Sequence, residues 1–271
     1  MFGLTFATLA LFLAVGAAAG LLAGLLGVGG GLIIVAALAF ALPALGVPAA
    51  SVMHVALATS MATIVATSLS SSRAHVKRGA VMWPSVAWLA PGLLAGGLAG
   101  AAIADRLDTE TLRYGVAAFC FAAATQLALG RTPPDHAEEP PPRGALLSLA
   151  GVGIGAISAL VGIGGGSMTV PLLIAMGARP VRAVGTSAAC GFAIAIASAA
   201  GFVAVGVDAE GLPDGTMGYI HVPGAVALAF ASVLAAPYGA ALAHRLRGEQ
   251  LKRVFAGFLA AIGVAMLVAS R

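Results

Sequence analysis

Gly24-Leu-Leu-Gly-Val-Gly-Gly-Gly31 and Ala159-Leu-Val-Gly-Ile-Gly-Gly-Gly166 are near copies of one another, and both lie inside long apolar stretches. Their shared core is G-[VI]-G-G-G, at Gly27–Gly31 and at Gly162–Gly166. Consecutive glycines cost a helix stability, because an unbranched backbone loses the most freedom when it is ordered. In a membrane such a break is tolerated only where protein or a water-filled cavity surrounds it. Breaks at matching places in two hydrophobic halves point to the binding site of a transporter.

The surrounding sequence places both copies in a membrane. No Asp, Glu, Lys or Arg precedes Arg73, and charge-free runs follow at Gly79–Ala104, Tyr114–Gly130, Gly144–Ala178, Ala183–Val207, Gly215–Ala243 and Val254–Ser270. A helical span needs about 20 apolar residues, which most of these runs supply. The formal charge of +4 is spread over the loops, so it reads as topology rather than as a nucleic-acid surface. Cys120 and Cys190 both fall in apolar runs, which suggests neither a disulfide nor a metal pair. The first 26 residues lack a basic n-region and an Ala-x-Ala cleavage site, so Gly3–Leu26 reads as a retained span.

The duplication extends well past the glycines. Ala58-Thr59-Ser60 matches Gly185-Thr186-Ser187, and Gly79 with Pro84 matches Gly218 with Pro223. Asp105-Arg106-Leu107 matches His244-Arg245-Leu246, and Phe119 matches Phe258. Three segments result: a first transmembrane repeat over residues 1–129, a Pro-rich solvated linker over 130–143, and a second repeat over 144–271. The expected class is an all-α polytopic membrane protein. Each repeat has a Gly-rich broken or re-entrant helix followed by three long transmembrane helices. In the first half these are Gly3–Leu26, the short Leu32–Leu42, Val52–Ser71, Met82–Ala104 and Thr111–Leu129. In the second they are Ala145–Val161, the short Ser167–Met176, Val181–Val205, Tyr219–Ala243 and Gln250–Ala269.

Loop charges give the halves opposite orientation. The basic loop with Arg73, Lys77 and Arg78 reads as cytoplasmic, whereas its repeat partner carries Asp208, Glu210 and Asp214. The loop with Asp105, Asp108 and Glu110 is acidic overall, and its partner carries Arg245, Arg247, Lys252 and Arg253. Matching loops of opposite bias are what inverted repeats require. Parity puts the linker and the Arg179/Arg182 loop on the same side, so the segment between them crosses an even number of times. A re-entrant hairpin and two full crossings both satisfy that count, and the short second helix favours the hairpin.

Two helix starts at Gly-rich tips, near Leu32 and Ser167, would aim backbone N–H groups and positive dipole ends at a common point. That arrangement suits a small anion. The candidate substrate-binding residues are Gly27, Gly29, Gly30, Gly31, Gly162, Gly164, Gly165, Gly166 and Ser167. To these are added Thr59, Ser60 and Thr63 in the next long helix, and Thr186, Ser187 and Cys190 at the matching positions of the second copy. Hydroxyls donate to an oxyanion without adding charge, although membrane Ser and Thr also bond back to their own helix. Gly96, Gly97 and Gly100 read as close-packing glycines. His54 and His221 are the ionisable side chains inside apolar runs, expected as interfacial polar tips with a proton-linked role as the alternative. Neither glycine tip continues into Gly-Lys-Ser/Thr, so no nucleotide loop is formed. No span holds a carboxylate, and no metal or other cofactor is expected.

Two halves each with G-[VI]-G-G-G, then [AG]-Thr-Ser, and in the first a basic loop ending Arg78-Gly79 before the Trp83 span, resemble the sulfite exporter family of the TauE/SafE type. The resemblance covers essentially the whole chain. It implies a multi-pass carrier of the bacterial inner membrane for sulfite, sulfonates or related small anions. It also implies a substrate region at Gly27–Gly31, Thr59-Ser60, Gly162–Gly166 and Thr186-Ser187. The second half departs from the pattern after Phe202, where an acidic loop replaces the basic one. The expected partners are a small anionic substrate and the lipid bilayer, with no nucleic acid, and oligomeric state is not encoded legibly. The function expected is export of a small sulfur-containing oxyanion, with a small-anion channel and proton-coupled uptake as alternatives. An enzyme is not expected, since no nucleophile stands beside a base.

Overall fold

A computed structural model describes residues 6–26, 30–129, 141–243 and 248–268. The first half contains α1 (Phe6–Leu26), α2 (Gly31–Ala41), α3 (Val52–Lys77), α4 (Trp83–Asp105) and α5 (Thr109–Leu129). The second contains α6 (Ala145–Val161), α7 (Gly166–Ala175), α8 (Pro180–Val205), α9 (Val222–Ala243) and α10 (Gly248–Val268). The expected order of helices is therefore present in both halves. Among the described residues, five helices are long and apolar enough to cross a membrane: α1, α3, α4, α5 and α8. Gly27, Gly29 and most of the 130–143 linker lie outside the described residues, as do His244, Arg245 and Arg247.

Local chemistry sets most boundaries. Pro84 and Pro180 sit in the first turns of α4 and α8, where a missing N–H costs nothing. Turns of 3₁₀ helix at Leu42–Leu45 and Ala49–Ser51 carry the chain from α2 into α3. Boundaries differ from the sequence reading most at two places: α3 runs on to Lys77 rather than Ser71, which puts Arg73 and Lys77 in its last turns, and α9 begins at Val222, not Tyr219. A two-stranded hairpin, β1 (Thr216–Met217) with β2 (Ile220–His221), occupies the preceding residues and takes up their backbone hydrogen bonds. A hydropathy reading cannot separate a short apolar strand from the helix it feeds.

The helix contacts exchange into one another when the halves are swapped. α1 packs along α9, and α6 packs along α4. α3 packs on α8, and α5 on α10. Glycines make these seams close. A side chain on Gly151 would meet the Leu89 carbonyl oxygen at 2.8 Å, and one on Gly155 would meet that of Leu93 at 2.5 Å. Their counterparts in α1, Gly16 and Gly20, stand in the same relation to the Leu228 and Ser232 carbonyls of α9. Gly96, Gly97 and Gly100 have the packing role expected of them: Gly96 and Gly100 face the backbone of α6, and Gly97 faces α8.

Neighbours also fix where each broken helix enters and leaves. Phe12 of α1 packs on His221 (ring centroids 5.6 Å apart), while α2 leads through the 3₁₀ turns into the start of α3. That start lies at the same end, since His54 contacts Leu107 and stacks on Tyr219. The start of α3 and the β-hairpin thus lie at the end marked by Asp105 and Asp108. Ser148 of α6 donates to the Trp88 carbonyl in the opening turns of α4, and Gly185 of α8 lies against Ala80.

Candidate functional site

The two tips meet halfway along α3. Glycine is required at both caps: Gly30 precedes α2 at φ 64° and Gly165 precedes α7 at φ 74°, left-handed values that side chains disfavour. Neither cap supplies a side-chain hydrogen bond, so the first amides of both helices have no cap from that source. Gly31, the first residue of α2, lies so close to Gly162 that a Cβ on it would overlap the Gly162 carbonyl oxygen. A Cβ on Gly164 would stand 3.2 Å from Ile64 of α3, and one on Gly191 of α8 would stand 2.7 Å from the Gly164 carbonyl. α3 and α8 therefore clasp the tips between them.

Ser60 joins the two copies. Its Oγ lies 3.2 Å from the Gly31 carbonyl and 2.9 Å from the Gly162 carbonyl, and donates to this pair. The Gly162 carbonyl stands at the C-terminal end of α6, where such groups need outside donors, whereas the Gly31 carbonyl also accepts within α2. The proton expected to meet an anion thus holds the tips to each other. Thr63 is likewise committed, donating to the Thr59 carbonyl at 2.9 Å.

Thr59 and Thr186 are used as acceptors. The amide of His221 donates to Thr59 Oγ1 at 3.0 Å, and the amide of Met82 donates to Thr186 Oγ1 at 2.9 Å. In the repeat alignment Met82 and His221 correspond, so these are two copies of one bond. Each ties the start of one half's fourth helix to the third helix of the other half. Accepting leaves the hydroxyl proton of each threonine able to donate. Ser187 and Cys190 are buried at 3% and 0% exposure, beside Thr186 on α8. Gly166 is buried, and Ser167 Oγ is buried with no partner among the described residues.

The histidines both lie in or beside the β-hairpin at one end of the bundle. His54 and His221 are 5% and 6% exposed, because the hairpin and the ends of α4 fold over them. His54 Nε2 donates to the carbonyls of Ala104 (3.0 Å) and Leu107 (3.1 Å), and its ring stacks on Tyr219 at 5.1 Å. His221 Nδ1 accepts the Gly224 amide at 3.0 Å, and burial pushes this imidazole below its usual range. Tyr219 donates to Asp105 Oδ1 at 3.0 Å; burial, then the Asp105 carboxylate, pushes its phenol up to about 12.

Two residues escaped the sequence reading. Ser158 and Thr169 are fully buried, with hydroxyls that have no partner among the described residues, and both flank Gly165. Their counterparts in the first half are Ala23 and Ile34, so a search keyed on shared residues passed over them. A scan one helical turn to either side of each tip would have found them.

Comparison with known proteins agrees with this architecture. The family model described as sulfite exporter TauE/SafE matches residues 12–266. A "probable membrane transporter protein" of Haemophilus influenzae is 35% identical over 263 residues, covering 97% of this chain and 99% of that protein. No solved structure matches. The duplicated glycine tips thus occur in a multi-pass membrane protein that belongs to the sulfite exporter TauE/SafE family.

Proposed function

We propose that the protein is a secondary transporter that moves a small sulfur-containing oxyanion, sulfite or an organosulfonate, out across the bacterial inner membrane. The observation that carries this reading is the meeting of Gly31 with Gly162 halfway along α3, with two glycine-capped helix starts beside it. Helix starts in a low-dielectric interior favour a negative ligand through their amides and dipoles. Glycine keeps those amides approachable.

The inverted arrangement of the repeats is part of the proposal. It is supported by the opposite charge of matched loops. Export follows from the driving force. One negative charge leaving down an inside-negative potential of 100 mV gains about 2.3 kcal/mol, so no coupling ion is needed. The spans accordingly carry no carboxylate away from their ends, where Asp105 and Glu110 stand. His54 and His221, the candidates for proton linkage, hold backbone and ring contacts at one end of the bundle.

Uptake into inside-out proteoliposomes tests the reading, with sulfite, sulfate, thiosulfate, sulfoacetate and simple carboxylates offered in parallel. Saturable flux of sulfite or a sulfonate, accelerated by an interior-positive potential, is expected. Flux that never saturates would identify a channel, and preference for carboxylates would overturn the substrate class.

A further inference from the structure

The second tip differs from the first in one chemical respect. Matching Gly31 with Gly166 places Ser158, Ser167 and Thr169 opposite Ala23, Leu32 and Ile34. Three hydroxyls surround one tip where three apolar side chains surround the other. All three hydroxyl oxygens are buried and have no partner among the described residues.

This is unusual within the molecule. Thr63 and Ser68 donate to carbonyls four residues back, at 2.9 and 2.6 Å, and Ser85 donates to the Pro142 carbonyl at 2.8 Å. Thr169 makes no such bond. The carbonyl four residues before it, on Gly165, already accepts the amides of Met168 (3.1 Å) and Thr169 (2.8 Å). An unpaired hydroxyl in an apolar interior is costly, so two fully buried ones on either side of a helix start need a reason.

We infer that Ser158 and Thr169 are the specificity-determining donors for the oxyanion, and that the anion therefore binds off the pseudo-two-fold axis, at the second tip. The point where a Gly165 side chain would begin lies 3.4 Å from Ser158 Oγ and 3.5 Å from Thr169 Oγ1. Both hydroxyls therefore face Gly165, and a ligand oxygen seated over that face, clear of its Cα, would meet them beside the opening amides of α7. The Ile194 methyl end stands over the same point. An oxygen seated there requires Ile194 to move. The first tip contributes backbone alone. This inference rests on the proposed anion-transport reading and adds the residues that choose the anion.

The experiment is calorimetric titration of sodium sulfite, and separately sodium methanesulfonate, into the purified full-length protein. The variants are Ser158→Ala, Thr169→Val, both together, and Ser198→Ala. Ser198 is also fully buried and unpartnered among the described residues, but it faces Gly97 in the α4–α8 seam. Each single change at the tip should weaken binding about ten- to a hundredfold, and the pair should abolish it. Ser198→Ala should bind as wild type. Melting temperatures without anion should hold or rise in all four, since each change deletes an unpaired polar group. Wild-type affinity in the double variant, with binding lost in Gly165→Val, would overturn this inference and leave the transport reading standing. An equal loss in Ser198→Ala would also overturn it, as a packing effect. Absence of any anion binding and flux in the wild type would overturn both.

Discussion

Replacing Gly31 by Ala sets two effects of opposite sign against each other. On helix propensity alone the change helps, by up to about 1 kcal/mol. The surroundings oppose it. The new Cβ would overlap the Gly162 carbonyl oxygen, which is backbone, and would stand 2.8 Å from Ile64 Cδ1 and 3.1 Å from Ser60 Oγ. Overpacking of this kind costs about 1–3 kcal/mol. Pushing the tips apart also breaks the Ser60 bonds at 3.2 and 2.9 Å, leaving the buried Gly162 carbonyl unsatisfied at about 1–3 kcal/mol. Steric cost wins, and the net loss is at least about 1 kcal/mol. Thermal unfolding in detergent should show it as a Tm at least about 2 °C lower. Gly115→Ala in α5, where nothing lies within 4 Å of the new atom, is the control and should be neutral or stabilising. Adding Ser60→Ala to Gly31→Ala should cost less than Ser60→Ala alone, because the two changes share one contact. A Gly31→Ala protein as stable as Gly115→Ala would refute the claim that the tips touch.

Three other outcomes follow from the geometry. Thr59→Val and Thr186→Val each strip the acceptor from a buried amide, so both should destabilise by about 1–3 kcal/mol, and by similar amounts, in parallel melts. The Thr111 hydroxyl and amide (2.7 Å) hold the Asp108 carboxyl below its usual range. A depressed carboxylate stabilises the fold above its unfolded pKa and loses that contribution as pH falls through its folded value. The difference in Tm between wild type and Asp108→Ala should therefore be present at neutral pH and vanish in acid. In a background lacking Cys120 and Cys190, cysteines at positions 75 and 210 should label from opposite sides of the membrane; labelling from one side would contradict the inverted repeats.

Much of this was legible from sequence because membrane constraint and duplication act together. Charge-free length located α3, α4, α5 and α8, and the repeated glycines located both breaks, since consecutive glycines inside apolar runs have few other uses. The roles of the hydroxyls were harder to read. Ser60 sits on α3 against the tips, yet a serine that donates to Gly31 and Gly162 and one that would donate to an anion look identical in sequence. Only the partner's position separates them. The burial of His221 was not legible, because the short hairpin over Thr216–His221 that encloses it carries no periodic signal. Ser158 and Thr169 were missed because they break the symmetry that revealed the tips.

The most direct test of the shared site is the affinity of sulfite for wild type, Gly30→Ala and Gly165→Ala, measured by calorimetry on folded, monodisperse protein. Each substitution puts a side chain at a left-handed cap, at φ 64° and φ 74°, and displaces one helix start. If both starts serve one anion, both variants should lose about tenfold or more, the worth of one oriented donor of about 1–3 kcal/mol. Wild-type affinity in either variant would mean that the corresponding tip is a packing device and that the two halves do not share a site.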